Sequence, residues 1–223
     1  MAIRSEFAVV QARGFNPTKA KTFVEGVEAA LASRISVALV FDRDYRSEPE
    51  VTNELESLRT FCDYAHIHSK KELENFLLVP DTLDRAIAQV VAEQNRRTGR
   101  ATSSRSISSL LTEITDSMKH DVQAQYLKRQ LPFERSLARG LDDATVTSAL
   151  LAAFDNRWND LEARLDMVPG KAVLSALNAH LQRTVGVTIT PRLIIEAMLV
   201  SDIAPEMKDI ITALEQFSRG GAE

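Results

Sequence analysis

Two spacings of apolar residues alternate along the N-terminal part of the chain. Residues 7–11 form a short apolar run that includes Val9 and Val10, followed by Gly14 and the pair Asn16-Pro17, which predicts a strand and a turn. Over residues 18–32, Phe23, Val24, Val27, Ala30 and Leu31 recur at helical spacing, and Pro17 suits a first helical turn. Residues 35–41 read Ile-Ser-Val-Ala-Leu-Val-Phe, a nearly unbroken β-favouring run that predicts a central strand covered on both faces and ending at Asp42-Arg43-Asp44. Val51, Leu55 and Leu58 restore the helical interval over residues 50–59, and residues 61–67 return to strand-like composition. Strand, helix, strand, helix, strand is the order of an α/β fold with a mostly parallel sheet and right-handed crossovers.

Further on, the pattern becomes helical throughout. Helices are expected at residues 73–78 and 82–93, with Pro80 as a break between them. Residues 95–105 are polar, rich in arginine and without an apolar stripe, which suits a solvated linker or a mobile DNA-contacting loop. The expected organisation is therefore an α/β domain over residues 1–95, a linker at 96–105 and an all-helical domain over 106–223. Within the last, helices are expected at residues 110–131, 142–167, 172–185, 191–200 and 205–217. No repeat of fixed period is present.

Composition narrows the function classes. With 44% hydrophobic and 26% charged residues, disorder over most of the length is excluded. A net charge of -4 and a pI near 5.7 exclude the basic shell of a nonspecific nucleic-acid coater, so any nucleic-acid contact is local or mediated by metal ions. No run approaches the roughly 20 apolar residues that span a bilayer, and residues 1–10 lack a basic segment followed by an apolar one, so a soluble cytoplasmic protein is expected. The single cysteine, Cys62, falls in the apparent strand at residues 60–66 and reads as a small core residue. No Gly-rich Lys-Ser/Thr loop occurs, so no ATP site is expected in this chain.

The candidate chemistry is acidic. Asp42 and Asp44, at i and i+2 on a strand end, are expected to converge while Arg43 points away. Like charges held close are costly without a cation, so removing either carboxylate is expected to leave the stability of the metal-free chain unchanged or raised. Hard oxygen ligands suit Mg²⁺ or Mn²⁺, and the Cys/His set that zinc prefers is missing. Taken alone, Asp-x-Asp after a strand reads equally well as a helix cap or a solvated turn. His66 and His68 alternate at the next strand's edge, either hydrogen-bonded structurally or touching phosphate. Trp158, among Phe154, Leu161 and Leu165, reads as helical core.

Longer motifs connect these positions. Leu39-Val40-Phe41-Asp42-Arg43-Asp44 is followed by His66-Ile67-His68-Ser69-Lys70-Lys71-Glu72-Leu73-Glu74-Asn75-Phe76-Leu77, then by Pro169-Gly170-Lys171 opening a helix and by Asp202-Ile203-Ala204-Pro205-Glu206-Met207. This succession, over nearly the whole chain, resembles the Toprim domain and following helical region of the overcoming-lysogenization-defect (OLD) family of ATP-dependent endonucleases. The resemblance implies a Toprim-like, mostly parallel sheet flanked by helices, then an all-helical domain that folds back so that Lys171 approaches the acidic cluster. It makes Asp42 and Asp44 metal ligands, Glu74 and Glu72 further metal-site carboxylates, Lys171 the basic residue near the scissile phosphate, and Arg43, Lys70 and Lys71 DNA contacts.

The cofactor so implied is one or two Mg²⁺ or Mn²⁺ ions. The resemblance likewise implies DNA as the substrate, an upstream ATPase domain or chain as the partner through which a homo-oligomer would form, and phage defence or DNA repair as the setting. On one regular helix Glu72 and Glu74 would lie about 200° apart, so Glu74 is preferred and Glu72 has the alternative of a first-turn acid stabilising the helix N-terminus. For Lys171 the alternative is a solvated residue at a helix start. Val24-Glu25-Gly26 copies the letters of the family's first-strand motif, but inside a helical pattern, so Glu25 is expected on a helix surface and the first-strand glutamate and the ATPase are expected outside this chain. Two other readings stay open: a catalytically incomplete DNA-binding or assembly module, and another Toprim enzyme such as a primase or topoisomerase, for which neither Tyr45 nor Tyr64 is convincingly placed as nucleophile.

Overall fold

The computed structural model describes residues 8–10, 14, 16–99, 106–137 and 140–220. The chain forms two compact units, Met1–Ser69 with Pro205–Glu223, and Lys70–Ala204. No helix of the described residues is long and apolar enough to cross a membrane.

In the first unit, α1 (Pro17–Leu31) starts where Asn16 Oδ1 accepts the Lys19 N–H at 2.9 Å and ends at Ala32 in the left-handed conformation. Glu25 lies exposed on this helix, as its position in the helical pattern predicts. Strand β1 (Ala38–Phe41) leads through a loop to α2 (Glu48–Leu58), capped by Ser47, and then to β2 (Tyr64–Ile67), which runs parallel to β1 with Ala38 opposite Tyr64 and Phe41 opposite Ile67. Helix α10 (Pro205–Gly220) completes the unit. Phe41, Val51, Leu58, Cys62, Ala65 and Ile67 form its core.

The mostly parallel α/β reading holds for this pair of strands, with three differences. Residues 8–10 lie in no strand, with Val9 and Val10 exposed; the remainder of the expected first strand lies outside the described residues. Strand β1 is shorter than residues 35–41 and only half-buried over residues 38–40, because β2 is its one neighbour among the described residues. Its start is fixed by Asp63, whose carboxylate accepts the Val37 N–H at 2.8 Å. Cys62 precedes β2 instead of lying in it: its thiol donates to Leu58 O at 3.0 Å, and burial, reinforced by Asp63, pushes the thiol pKa up.

In the second unit, a 3₁₀ turn (Leu73–Leu77) precedes α3 (Pro80–Thr98), α4 (Ile107–Asp116), α5 (Lys119–Leu137), α6 (Asp143–Asn159), α7 (Leu161–Met167), α8 (Gly170–Val185) and α9 (Pro191–Ala197). Leu83, Leu111, Val122, Phe154, Val173, Leu177 and Ile194 are buried in it. The unit boundary falls at residue 69/70 and not at 96–105, because α3 buries Leu83 and Ala86 and packs on α9 and α4. The polar stretch expected as linker continues α3 as far as Thr98, where Arg96 and Arg97 each pair with Glu93 at 2.8 Å. These i,i+3 and i,i+4 pairs support a helical turn that carries no apolar stripe and exposes Arg96 and Arg97. The part of that stretch at residues 100–105 lies outside the described residues.

Two helices expected as continuous are each split. Ser117 and Met118 separate α4 from α5, and Asp160, in extended backbone, accepts the Ala163 N–H at 2.8 Å to start α7. Trp158 is core, as predicted, stacked on Phe154 at 5.2 Å with the Arg164 guanidinium over its ring at 5.0 Å.

Candidate active site

The sheet register decides what lies beside Asp42. Aligned residues of neighbouring parallel strands stand side by side, so the pair that follows Phe41–Ile67 is Asp42–His68. The His68 N–H donates to Phe41 O at 3.1 Å, extending the ladder by one residue, and His68 Nε2 lies 3.0 Å from Asp42 Oδ1. His68 is 1% exposed, whereas the Asp42 side chain is 38% exposed.

Asp44 does not continue the pleat. The strand ends at Phe41, and Asp44 and Tyr45 turn the chain with φ of 46° and 63°. Left-handed backbone costs an L residue on the order of 1 kcal/mol, more readily borne by Asp than by Tyr. Asp44 therefore owes its direction to a turn and not to strand alternation. Its Oδ2 lies 3.9 Å from Arg46 Nη1 and its side chain is 49% exposed. The buried Arg46 also donates to Asp42 O and Arg43 O at 3.2 and 2.9 Å. Arg43, expected to contact DNA, donates to Arg46 O at 2.9 Å and pairs with Glu48 at 2.8 Å, so it braces the loop.

His66, within β2, holds a carboxylate to which the sequence assigns no role. Glu206, in the first turn of α10, accepts His66 Nε2 at 2.9 Å, the Ser69 N–H at 2.8 Å and the Ser69 hydroxyl at 2.5 Å. Burial pushes the Glu206 carboxyl up, but these hydrogen bonds outweigh it and hold it down at about 2. The usual value being near 4.5, the bonds contribute stability that is fully present above that pH and is lost as pH falls toward 2. Between pH 5 and pH 2 the wild type is therefore expected to lose up to about 3 kcal/mol more stability than a Glu206→Gln variant. Urea unfolding across that window measures the difference, and parallel pH slopes for the two proteins count against the latch.

The remaining candidates belong to the second unit. Glu72 stands in extended backbone (φ −135°, ψ 156°) before the 3₁₀ turn, not on a regular helix, so the 200° separation from Glu74 expected for α-helical neighbours does not arise. Both glutamates reach the N-terminus of α8, a sequence span of 99 residues from Glu72 to Lys171. Glu72 Oε2 accepts the Lys171 N–H at 3.1 Å and its Oε1 accepts Lys71 Nζ at 3.1 Å, so Glu72 stabilises the N-terminus of α8. Glu74 Oε1 lies 3.5 Å from Lys171 Nζ, while Glu74 Oε2 is buried without a hydrogen-bond partner. Lys171 itself is 66% exposed.

Asn75 binds this corner together. Its side-chain N–H groups donate to Leu165 O and Val168 O at 2.6 and 2.8 Å, and its Oδ1 accepts the Glu72 N–H at 2.9 Å. Gly170 passes so close that a Cβ there would lie 2.8 Å from Asn75 Oδ1 and 2.9 Å from Asn75 N. Lys70 pairs with Asp166 and lies 5.1 Å from the centre of the Phe76 ring, and Lys71 is buried against Glu72.

Asp42, Asp44 and Arg43 thus belong to the first unit, and Glu72, Glu74, Lys70, Lys71 and Lys171 to the second. Within either unit, the described residues include no group of three or more His, Cys, Asp or Glu arranged to hold a metal ion. Glu206 and Asn75 escaped the sequence reading because each lay inside a recognised motif without a chemical signature of its own. No family model matches the chain, and comparison with curated proteins and with solved structures gives no match.

Proposed function

We propose that the chain is the nuclease portion of an ATP-dependent endonuclease, hydrolysing phosphodiester bonds in DNA with Mg²⁺ or Mn²⁺ and working with an ATPase domain or chain. The observation that carries this reading is the meeting of Glu74 with Lys171: two residues the motif resemblance singles out, from distant parts of the sequence, come within 3.5 Å inside one unit. A cation site is chemically apt for the residues present. Glu74 Oε2 is a buried acceptor without a partner, an arrangement that costs free energy unless a positive group satisfies it. Asp42 and Asp44 are carboxylates left partly exposed beyond the carboxyl end of a parallel strand, where open α/β sheets collect ligands.

In the first unit Asp42 and Asp44 are the residues that would hold a divalent cation, and in the second unit, taken by itself, Glu74 is the carboxylate that would hold one. Such a cation, when bound, polarises phosphate and lowers the pKa of water. Lys171 presents its ammonium to the phosphate and neutralises charge developing there, while Glu74 holds that ammonium in place. The cations also reconcile a net charge of -4 with a polyanionic substrate.

Incubation of the full chain with supercoiled plasmid and Mg²⁺ or Mn²⁺ tests the reading. Nicked or linear products are expected; relaxed closed circles would point to a topoisomerase instead, and intact plasmid together with no measurable Mn²⁺ affinity would end the proposal. A Lys171→Met variant is expected to slow cleavage by about 10²–10³-fold while leaving Mn²⁺ affinity undiminished, because it removes a transition-state contact and no ligand, and takes a competing positive charge away from Glu74. Equal kcat values for the two proteins would return Lys171 to the status of an exposed surface residue.

A further inference from the structure

We propose that His68 is a positioning residue: its imidazole fixes the carboxylate of Asp42 in the orientation that receives a divalent cation. The inference rests on the reading of Asp42 as a cation ligand. Its own support is geometric. The parallel register makes residues 42 and 68 neighbours, and the backbone bond from His68 N–H to Phe41 O anchors the imidazole to the strand that delivers Asp42. The ring is 1% exposed and its Nε2 lies 3.0 Å from Asp42 Oδ1.

A polar ring taken so completely out of water costs free energy that an apolar side chain would not, and the cost is recovered only through directed hydrogen bonds. Histidine at this position thus supplies directionality that Leu or Phe could not. The recipient needs it. Asp42 lies just past the last residue of β1 with its side chain 38% exposed, so strand pleating no longer dictates its rotamer. A ring packed on all sides is rigid, and a bond from it restricts the carboxylate before any ligand arrives. Hydrogen bonds of this kind to metal-holding side chains typically change metal affinity by about 10–100-fold when removed.

The register also makes this a local device. Asp44, two residues on, sits in the left-handed turn with its Oδ2 3.9 Å from Arg46 Nη1, whereas Asp42 meets a buried ring of the sheet. Asp42 would accordingly be set by the ring before a cation arrives.

The test is Mn²⁺ binding to the full chain, followed by the loss of the free-ion paramagnetic resonance signal. Four variants are compared with the wild type: Asp42→Asn, His68→Leu, His68→Gln and His68→Asn. The Gln amide N–H reaches the place of the imidazole Nε2–H, and the shorter Asn does not. His68→Leu and His68→Asn are expected to weaken Mn²⁺ binding about 10-fold or more, and His68→Gln by less than about 3-fold. If Asp42→Asn abolishes binding but the His68 variants all bind as the wild type does, the positioning role is overturned and the nuclease reading stands. A Gln variant as weak as the Asn one overturns it too. Absence of Mn²⁺ binding by the wild type overturns both. Should the Leu variant fail to fold by circular dichroism, the Gln and Asn pair alone decides.

Discussion

Asp42→Ala is expected to abolish cation-dependent plasmid cleavage, and at the same time to lower the stability of the metal-free chain by about 1–3 kcal/mol. Loss of a ligand should cost activity more than the roughly 100-fold that loss of a ligand's supporting partner can cost. The stability effect reverses what charge counting on the sequence predicts. Two aspartates close together would repel, and removing one would help; but Asp42 Oδ1 meets His68 Nε2 at 3.0 Å, and the buried ring loses that acceptor when the carboxylate goes. Asp42→Asn keeps an oxygen for the ring and should recover most of the stability without recovering cleavage. Chemical denaturation and the plasmid assay on the same preparations separate the two effects. Undiminished cleavage by the Ala variant would remove Asp42 from the site, and undiminished stability would show that the bond to His68 contributes nothing measurable.

Gly170→Ala is expected to destabilise the second unit by about 2–4 kcal/mol. The new methyl carbon would lie 2.9 Å from the backbone nitrogen of Asn75, an atom that cannot swing aside as a flexible side chain could. Moving Asn75 strains its bonds to Leu165 O, Val168 O and the Glu72 N–H, and with them the seat of Glu72 against Lys171. The helix-propensity gain of Ala over Gly, up to about 1 kcal/mol, is too small to compensate. Gly26 supplies the control. It lies inside α1 with open space around it, so Gly26→Ala should stabilise by up to about that amount. Urea midpoints moving in the same direction for both variants would contradict the crowding at Gly170.

What was legible in the sequence follows physical lines. Periodicity located α1, β1, α2, β2 and most of the later helices, because each buries a stripe or run of apolar residues that announces itself. The splits at Ser117 and Asp160 were not visible: a polar residue that ends one helix, as Ser117 does, or caps the next, as Asp160 does, looks the same in sequence as one on an exposed face of a continuing helix. The polar stretch after Asn95 misled for the converse reason, since Arg96 and Arg97 sustain a helix through ion pairs with Glu93. For the candidate site, resemblance alone named Glu72, Glu74 and Lys171, and the structure brings these three together at the start of α8. Glu72 and Glu74 do not oppose each other across a helix, because the chain makes an extended residue and a 3₁₀ turn there. Asp44 diverged likewise, because strand alternation was extended past Phe41 into a turn with two left-handed residues.

The first unit is built from two stretches of sequence, with the whole of residues 70–204 between them. During synthesis, β1 and β2 leave the ribosome long before α10 does. For that interval, His66 and Ser69 have no Glu206 to bind, whereas every residue of the second unit has been made before α10 begins. Domains generally fold as their chain becomes available, so the helical unit can mature first although it starts later in the sequence, and the sheet-bearing unit is closed last. A released chain truncated after residue 204 should therefore show protease protection in the helical unit while residues 17–69 remain susceptible.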